Sequence, residues 1–402
     1  MRVAMISEHA SPLATLGGTD AGGQNAHVAE LSAAVAAQGH EVRVYTRRDD
    51  ADLPPVVTLD NGVEVVHVPA GPATAVPKDD LMPFIGTFAE WMAADWRTGR
   101  LPDVAHAHFW MSGLAAVTAG RSCDVPVVQT FHALGSVKRR HQGAADTSPP
   151  HRIGYERQLG RVVDRIVVQC QDEIRELQLL GLPRSAMALI PSGVNTDRFR
   201  PDGPVAPRGS RPRILSVGRL VERKGFEDVI RAMTRVPDAE LVIVGGPDRY
   251  AERLRELAAS CGVAGRVILA GAVPADEMPA WYRSADVLAA APWYEPFGLT
   301  PLEAMACGVP VVGTAVGGLV DTIVEGVTGD LVPPHDPRVL GLALRRLLGD
   351  SNRRFAYSAA AVDRAAHSYS WRRVATQLSA LYATVAGLNR AADSDETREA
   401  VA

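Results

Sequence analysis

Several protein classes need features that this chain does not have. Its four cysteines, Cys123, Cys170, Cys261 and Cys307, stand far apart with no C-x-x-C pair. That spacing offers no zinc pattern and fits the reduced thiols of a cytosolic enzyme. No apolar run reaches the roughly 20 residues of a transmembrane helix. The chain opens on a strand-like Arg2-Val3-Ala4-Met5-Ile6-Ser7 rather than on a signal peptide, so the expected compartment is the cytoplasm. Neither sign of charge dominates: 42 Lys and Arg face 46 Asp and Glu. Nothing global attracts nucleic acid, no nucleic-acid partner is expected, and any phosphate binding has to be local. The G-x-G-x-x-G spacing of dinucleotide folds is missing, and no D-x-D metal pair lies near the loops considered below.

What is present is an alternation of short apolar runs and helical patterns over 402 residues, too long for one typical core. The opening strand, a helix from Asn25 to Gln38 ended by Gly39, and the alternating Glu41-Val42-Arg43-Val44-Tyr45-Thr46 make a βαβ start. The loop between them, Gly17-Gly18-Thr19-Asp20-Ala21-Gly22-Gly23-Gln24-Asn25, carries backbone amides able to cradle phosphate. Asp103 to Trp110 and Val125 to His132 read as buried strands, with His108 and His132 at their ends. Open α/β sheets bind ligands at such ends. Lys138-Arg139-Arg140-His141 reads as a solvated basic surface, the alternative being a face toward an acidic acceptor.

Pro201 to Pro212 is rich in Pro, Gly and Arg without apolar periodicity, as a linker is. A second α/β block follows. Its first strand ends at Gly218, and Arg219 and Lys224 flank the loop before a helix from about Phe226, which puts two cations where a diphosphate could be neutralised. Further on, the runs Ala285–Ala291 and Pro310–Val312 bracket Trp293-Tyr294-Glu295-Pro296-Phe297-Gly298-Leu299-Thr300-Pro301-Leu302-Glu303. Thr300, Pro301 and Glu303 predict a capping box that opens a helix at Thr300. Gly298 lets the backbone approach a ligand, and the amides of Gly298, Leu299 and Thr300 favour an anion. The expected organisation is an N-terminal domain over 1–200, a second over 201–370, a helix over 371–388 and a disordered tail over 389–402.

Two carboxylates separated by seven residues, Glu295 and Glu303, together with V-G-R-L-x-x-x-K-G over 217–225, resemble the motifs of retaining GT-B glycosyltransferases of the group 1, family four type. The D-A-G-G-Q-N loop and Ile190-Pro191-Ser192-Gly193-Val194-Asn195 are similar to the same family, with Asn195 where it usually has Asp. The likeness is nearest to the sucrose-phosphate synthase branch and to the mycothiol-pathway branch that adds N-acetylglucosamine to inositol phosphate. It covers nearly the whole chain. It implies two doubly wound Rossmann-like domains facing a crevice, a nucleotide-sugar co-substrate, a small hydroxylated acceptor, and no metal or other cofactor.

Residue by residue, the resemblance implies that His132, Glu295, Arg219 and Lys224 serve catalysis. It implies donor contacts from Gly22, Gly23, Gly218, Arg219, Lys224, Glu295, Phe297, Gly298, Leu299, Thr300 and Glu303. Acceptor contacts would come from Asp20, Asn25, Lys78, His108, Phe109, Ala133 and Arg152. Phe109 and Ala133 stand where the mycothiol branch has a Tyr and a Thr on the acceptor phosphate, which points to a related polyol, cyclitol or sugar acceptor. The expected activity is retaining transfer of a hexosyl unit from a UDP-sugar. Alternatives are a mannosyltransferase using GDP-mannose on a lipid or glycan, and a non-catalytic nucleotide-sugar sensor. Whether the chain forms a homodimer is left open.

Overall fold

The computed structural model describes residues 1–14, 22–246 and 250–387, and they divide into two compact units. Among the described residues, the first comprises 1–14, 23–191 and 372–387; the second comprises Gly22 and 192–371. The anticipated tail lies outside the described residues.

The first unit is built on eight strands: β1 (Arg2–Ile6), β2 (Glu41–Arg47), β3 (Val56–Thr58), β4 (Glu64–Val68), β5 (Val104–His108), β6 (Val127–Thr130), β7 (Arg165–Val168) and β8 (Met187–Leu189). Their order across the sheet is β3-β4-β2-β1-β5-β6-β7-β8. All neighbours are parallel except β3, which pairs antiparallel with β4 at the edge. Every residue of β5 is buried, as a central parallel strand covered on both faces requires. The chain winds to one side of β1 for β2 and to the other for β5, so the strand order reverses between β1 and β5. That reversal leaves a crevice at the carboxyl ends of the two strands.

The second unit repeats the plan with six parallel strands: β9 (Arg213–Val217), β10 (Glu240–Val244), β11 (Val267–Gly271), β12 (Val287–Ala290), β13 (Val311–Thr314) and β14 (Gly329–Val332). Their order is β11-β10-β9-β12-β13-β14, and the reversal falls between β9 and β12. Separate apolar clusters cover its two faces, one around Phe226, Ile230 and Leu344, the other around Leu215, Tyr282 and Met305. Residues 192–200 go with this unit, because Val194 and Phe199 lie in the second cluster. The Phe199 ring meets that of Tyr282 edge-on at 5.9 Å. The Pro- and Gly-rich stretch from Pro201 therefore lies inside the unit instead of preceding it.

The last helix, Trp371–Val385, belongs to the first unit from Arg372 on. Val374, Ala375, Leu378 and Tyr382 are buried along one face, at the i, i+4 and i, i+3 spacings of an apolar stripe. Tyr382 Oη lies 2.6 Å from His106 Nδ1 on β5.

Two local expectations are corrected. The helix expected to open at Thr300 spans Leu299–Ala306, its cap is Gly298 at φ +76°, and no side-chain hydrogen bond closes it. There is no capping box. A glycine in the left-handed region turns the chain into the helix by itself, so Thr300 is already helical, and the Glu303 carboxylate accepts a hydrogen bond from the Tyr282 hydroxyl at 2.6 Å. The strand expected to reach Trp110 stops at His108. Phe109 has φ +86° and Trp110 begins the helix Trp110–Cys123. Among the described residues, no helix is long and apolar enough to cross a membrane.

Candidate active site

In the second unit the residues expected to hold the donor gather where the strand order reverses. β9 runs out into Gly218 and exposed Arg219, then into a single 3-10 turn, Glu222–Lys224, closed by Gly225 at φ +68°. A side chain at Gly225 would put its Cβ 1.8 Å from the Ala291 carbonyl oxygen. Only glycine lets this turn press against the end of β12. The Trp293 amide fastens the contact by donating to the Arg223 carbonyl at 2.8 Å. Lys224 and Glu295 are thereby brought together across 71 residues of sequence, Nζ to Oε2 at 2.5 Å.

Arg223 is a second cation on the same carboxylate. Its Nη1 is 4.0 Å from Glu295 Oε2, and its guanidinium lies over the Tyr294 ring, 5.3 Å from the centroid. Burial by itself raises the Glu295 carboxyl, but Lys224 and Arg223, helped by the Phe297 amide, outweigh it and hold it below the usual carboxylate range. Burial, with Arg223 and Arg219 adding to it, lowers the Lys224 ammonium against the pull of Glu295. The Gly318 amide donates to the Glu295 carbonyl at 2.9 Å. Phe297, Gly298, Leu299 and Thr300 complete the loop and the first residues of the helix. The site is thus an ionised acid between two half-buried cations, beside the N-terminus of a helix, whose first amides have no partner within the helix. Arg223 was missed in the sequence because it sits beside Lys224 in no pattern that distinguishes it from a solubilising arginine.

In the first unit the corresponding position is filled by imidazoles. His108 ends β5 and His132 follows β6, and His108 Nδ1 and His132 Nε2 are 2.9 Å apart. His132 sits at φ +62°, a conformation uncommon for a side-chain-bearing residue. His27, in the helix Gly23–Ala36, packs edge-on to His132 with centroids 4.8 Å apart. Gln169 Nε2 is 3.3 Å from His27 Nδ1. His106 lies under His108, centroids 4.3 Å apart, held by Thr130 Oγ1 at 2.8 Å and by Tyr382. Burial drives the His27 and His106 imidazoles down to about 3. Burial also takes His108 and His132 well below the ordinary value, with their neighbours adding to it. All four are neutral near pH 7. His27 escaped sequence reading because it is one residue inside an ordinary helical pattern.

The residues expected to meet an acceptor divide. Lys78 Nζ lies 5.3 Å from the Phe109 centroid and the Arg152 guanidinium 4.8 Å from it, so both cations face one ring. Arg152 is almost wholly buried. It is bonded to Glu156 at 2.7 Å, to Ser148 Oγ at 3.2 Å and to the Ala133 carbonyl, so Ala133 takes part through its backbone. Asn25 is buried and donates to the Ser11 carbonyl at 3.0 Å. Gly23 is the first residue of its helix, and Gly22 lies just before it. Asp20 and the rest of its glycine loop, 15–21, lie outside the described residues. Of the basic run, Arg139, Arg140 and His141 are exposed on the helix Gly135–Gln142 and Lys138 is half-buried, with Arg140 on Glu176 at 2.7 Å and Lys138 on Asp146 at 3.0 Å.

Comparison with known proteins matches both halves of the chain. Residues 21–198 match the family described as "Glycosyltransferase Family 4" and residues 202–364 the family described as "Glycosyl transferases group 1". A D-inositol 3-phosphate glycosyltransferase of Xylanimonas cellulosilytica is 37% identical over 402 residues, covering 95% of this chain and 96% of that protein. One of Thermobispora bispora is 37% identical over 408 residues, covering 95% and 94%. Among solved structures, a sucrose-phosphate synthase of Thermosynechococcus elongatus aligns with a TM-score of 0.87 at 31% identity, over 96% of this chain and 98% of its own. With the conserved plan of two parallel-sheet units and the Lys224–Glu295 site on the second of them, these matches make the chain a GT-B glycosyltransferase of the group 1, family 4 type.

Proposed function

We propose that the chain moves a hexosyl unit, N-acetylglucosamine or glucose, from a UDP-sugar onto a hydroxyl of a small cyclitol, polyol or sugar, with retention at the anomeric carbon. The observation that carries this reading is the Lys224–Glu295 pair at 2.5 Å, set at the reversal of strand order where such sheets take their ligands. A donor diphosphate arriving there displaces the carboxylate from Lys224 and binds Lys224 and Arg219 through its own oxygens. Glu295, freed from Lys224, accepts hydrogen bonds from the sugar hydroxyls, and Glu303 serves the ribose. As the bond from the anomeric carbon to the phosphate oxygen breaks, negative charge grows on the leaving UDP. Arg219, Lys224 and the amides of the Leu299 helix stabilise that charge, each donor worth a few kcal/mol. The acceptor oxygen bonds to the same face of the carbon, and its proton passes to the leaving phosphate. No side-chain nucleophile takes part. His132, neutral and oriented by His108, accepts or donates one hydrogen bond to the transferred sugar.

An unphosphorylated acceptor fits best, because Phe109 and Ala133 bring no hydroxyl and Arg152 is already engaged by Glu156. A phosphorylated acceptor is the second reading, favoured by the names of the relatives and by Lys78 beside Phe109. UDP release from UDP-N-acetylglucosamine and UDP-glucose, measured with inositol, inositol phosphate or no acceptor, tests both, with GDP-mannose as a further arm. Release that requires unphosphorylated inositol or a related polyol, and continues in EDTA, is expected. Release only with inositol phosphate selects the second reading, and release from GDP-mannose alone overturns the donor assignment. The reading places the enzyme in the cytoplasm, with its UDP-sugar supply.

A further inference from the structure

We propose that His27, His108 and His132 form a site for one transition-metal ion of the zinc class, and that filling the site stops transfer by occupying His132. One ring nitrogen from each of the three lies within 4.8 Å of the others, and all three residues are buried. A tetrahedral zinc ion with Zn–N bonds of about 2.0–2.1 Å holds its ligand atoms about 3.3 Å apart. Drawing the three rings onto one ion therefore asks for movements of about an ångström. Three imidazoles with one position left open is a ligand set that zinc accepts.

Independent observations point the same way. His108 Nε2 is buried and has no hydrogen-bond partner among the described residues, which buried polar nitrogens seldom lack. The Gln169 amide stands 3.3 Å from His27 Nδ1, and its buried Oε1 has no hydrogen-bond partner among the described residues; with the amide turned so that Oε1 accepts from the Nδ1–H, His27 Nε2 is left without a proton and faces the ion, as in the partners of ligating histidines. The ligands sit on a helix, a strand end and a residue held at φ +62°, so the backbone fixes where the three rings start and only side-chain movement is asked for.

The metal half of this inference stands on geometry alone, and the inhibition half rests on His132 meeting the transferred sugar. The full chain, freed of metal by dialysis, is titrated with Co2+ and then with Zn2+. One equivalent of Co2+ is expected to develop the visible absorption of a tetrahedral nitrogen site, and Zn2+ to displace it. Zn2+ is expected to abolish UDP release and EDTA to restore it. His27→Gln is expected to lose the cobalt spectrum, and its residual transfer to resist Zn2+. If that variant is unfolded by circular dichroism, Gln169→Leu, which removes no ligand, is expected to weaken Co2+ binding about 10-fold. Absence of a stoichiometric cobalt spectrum, or the same spectrum in either variant, overturns the site. A normal spectrum with unimpaired transfer overturns the inhibition and, with it, the role given to His132, whereas failure to turn over any nucleotide sugar leaves the spectrum to decide the metal site.

Discussion

The two units use one architecture and arrive at opposite electrostatics. At the reversal of strand order in the second, Glu295 is ionised between Lys224 and Arg223. At the equivalent place in the first, four imidazoles are buried and uncharged. On the proposed reading the contrast separates two tasks. The cations of the second unit would meet the group on which negative charge builds, and the neutral rings of the first would orient neutral hydroxyls by hydrogen bonds without drawing phosphate there.

Acid is the strongest way to break the comparison. Each buried imidazole binds its proton more weakly in the folded chain than in the unfolded one. As pH falls below about 6.5 the unfolded state therefore takes up more protons, and stability drops by up to about 1.4 kcal/mol per pH unit for each ring. Glu295 has the opposite placement, a carboxyl lowered by its cations, so its contribution is intact above about 4.5 and lost only as pH falls through its lowered value. Hydrogen exchange at pH 5 should show β5 and β6 deprotected while β9 and β12 stay protected. Equal loss in both units would contradict the assignment of charge.

Replacing Glu295 by Ala is expected to cut UDP release by about a thousandfold or more, about 4 kcal/mol of transition-state stabilisation, with circular dichroism and Tm showing the fold intact. Retained activity removes Glu295 from the site. Tyr382→Phe strips His106 of its buried partner and should cost about 1–3 kcal/mol in urea unfolding; no change would mean that the ring nitrogen finds another partner. In Arg223→Leu the acid limb of kcat/KM should rise by up to about one pH unit, because Glu295 then protonates more readily, and Arg223→Lys should recover part of it. The smallest effect belongs to Thr300→Ala, expected to change stability by less than about 0.5 kcal/mol, whereas a true cap would cost about 1 kcal/mol.

Much of this was legible in the residues and some of it could not be. β-branched runs such as Glu240–Val244 announce buried strands, and the spacing from Gly218 to Gly225 announces the loop that carries Lys224. The helix after Phe297 was seen but its first residue was misplaced. Cap rules weigh side chains, and the left-handed backbone of Gly298 is not written in residue type alone. His27, Arg223 and Tyr382 were invisible for another reason. Their importance lies in partners distant in the chain, 276 residues away for Tyr382 and His106, and no local periodicity encodes that.

The discontinuity of the first unit has a consequence during synthesis. Residues 192–371 are contiguous and can complete their folding while the ribosome is still extending the chain, whereas the earlier-made segment waits for Arg372 and beyond to supply its closing helix. The usual vectorial order is inverted: the half translated first is finished last, and a message truncated near codon 371 yields a product whose β5 histidine lacks the phenol that seals it.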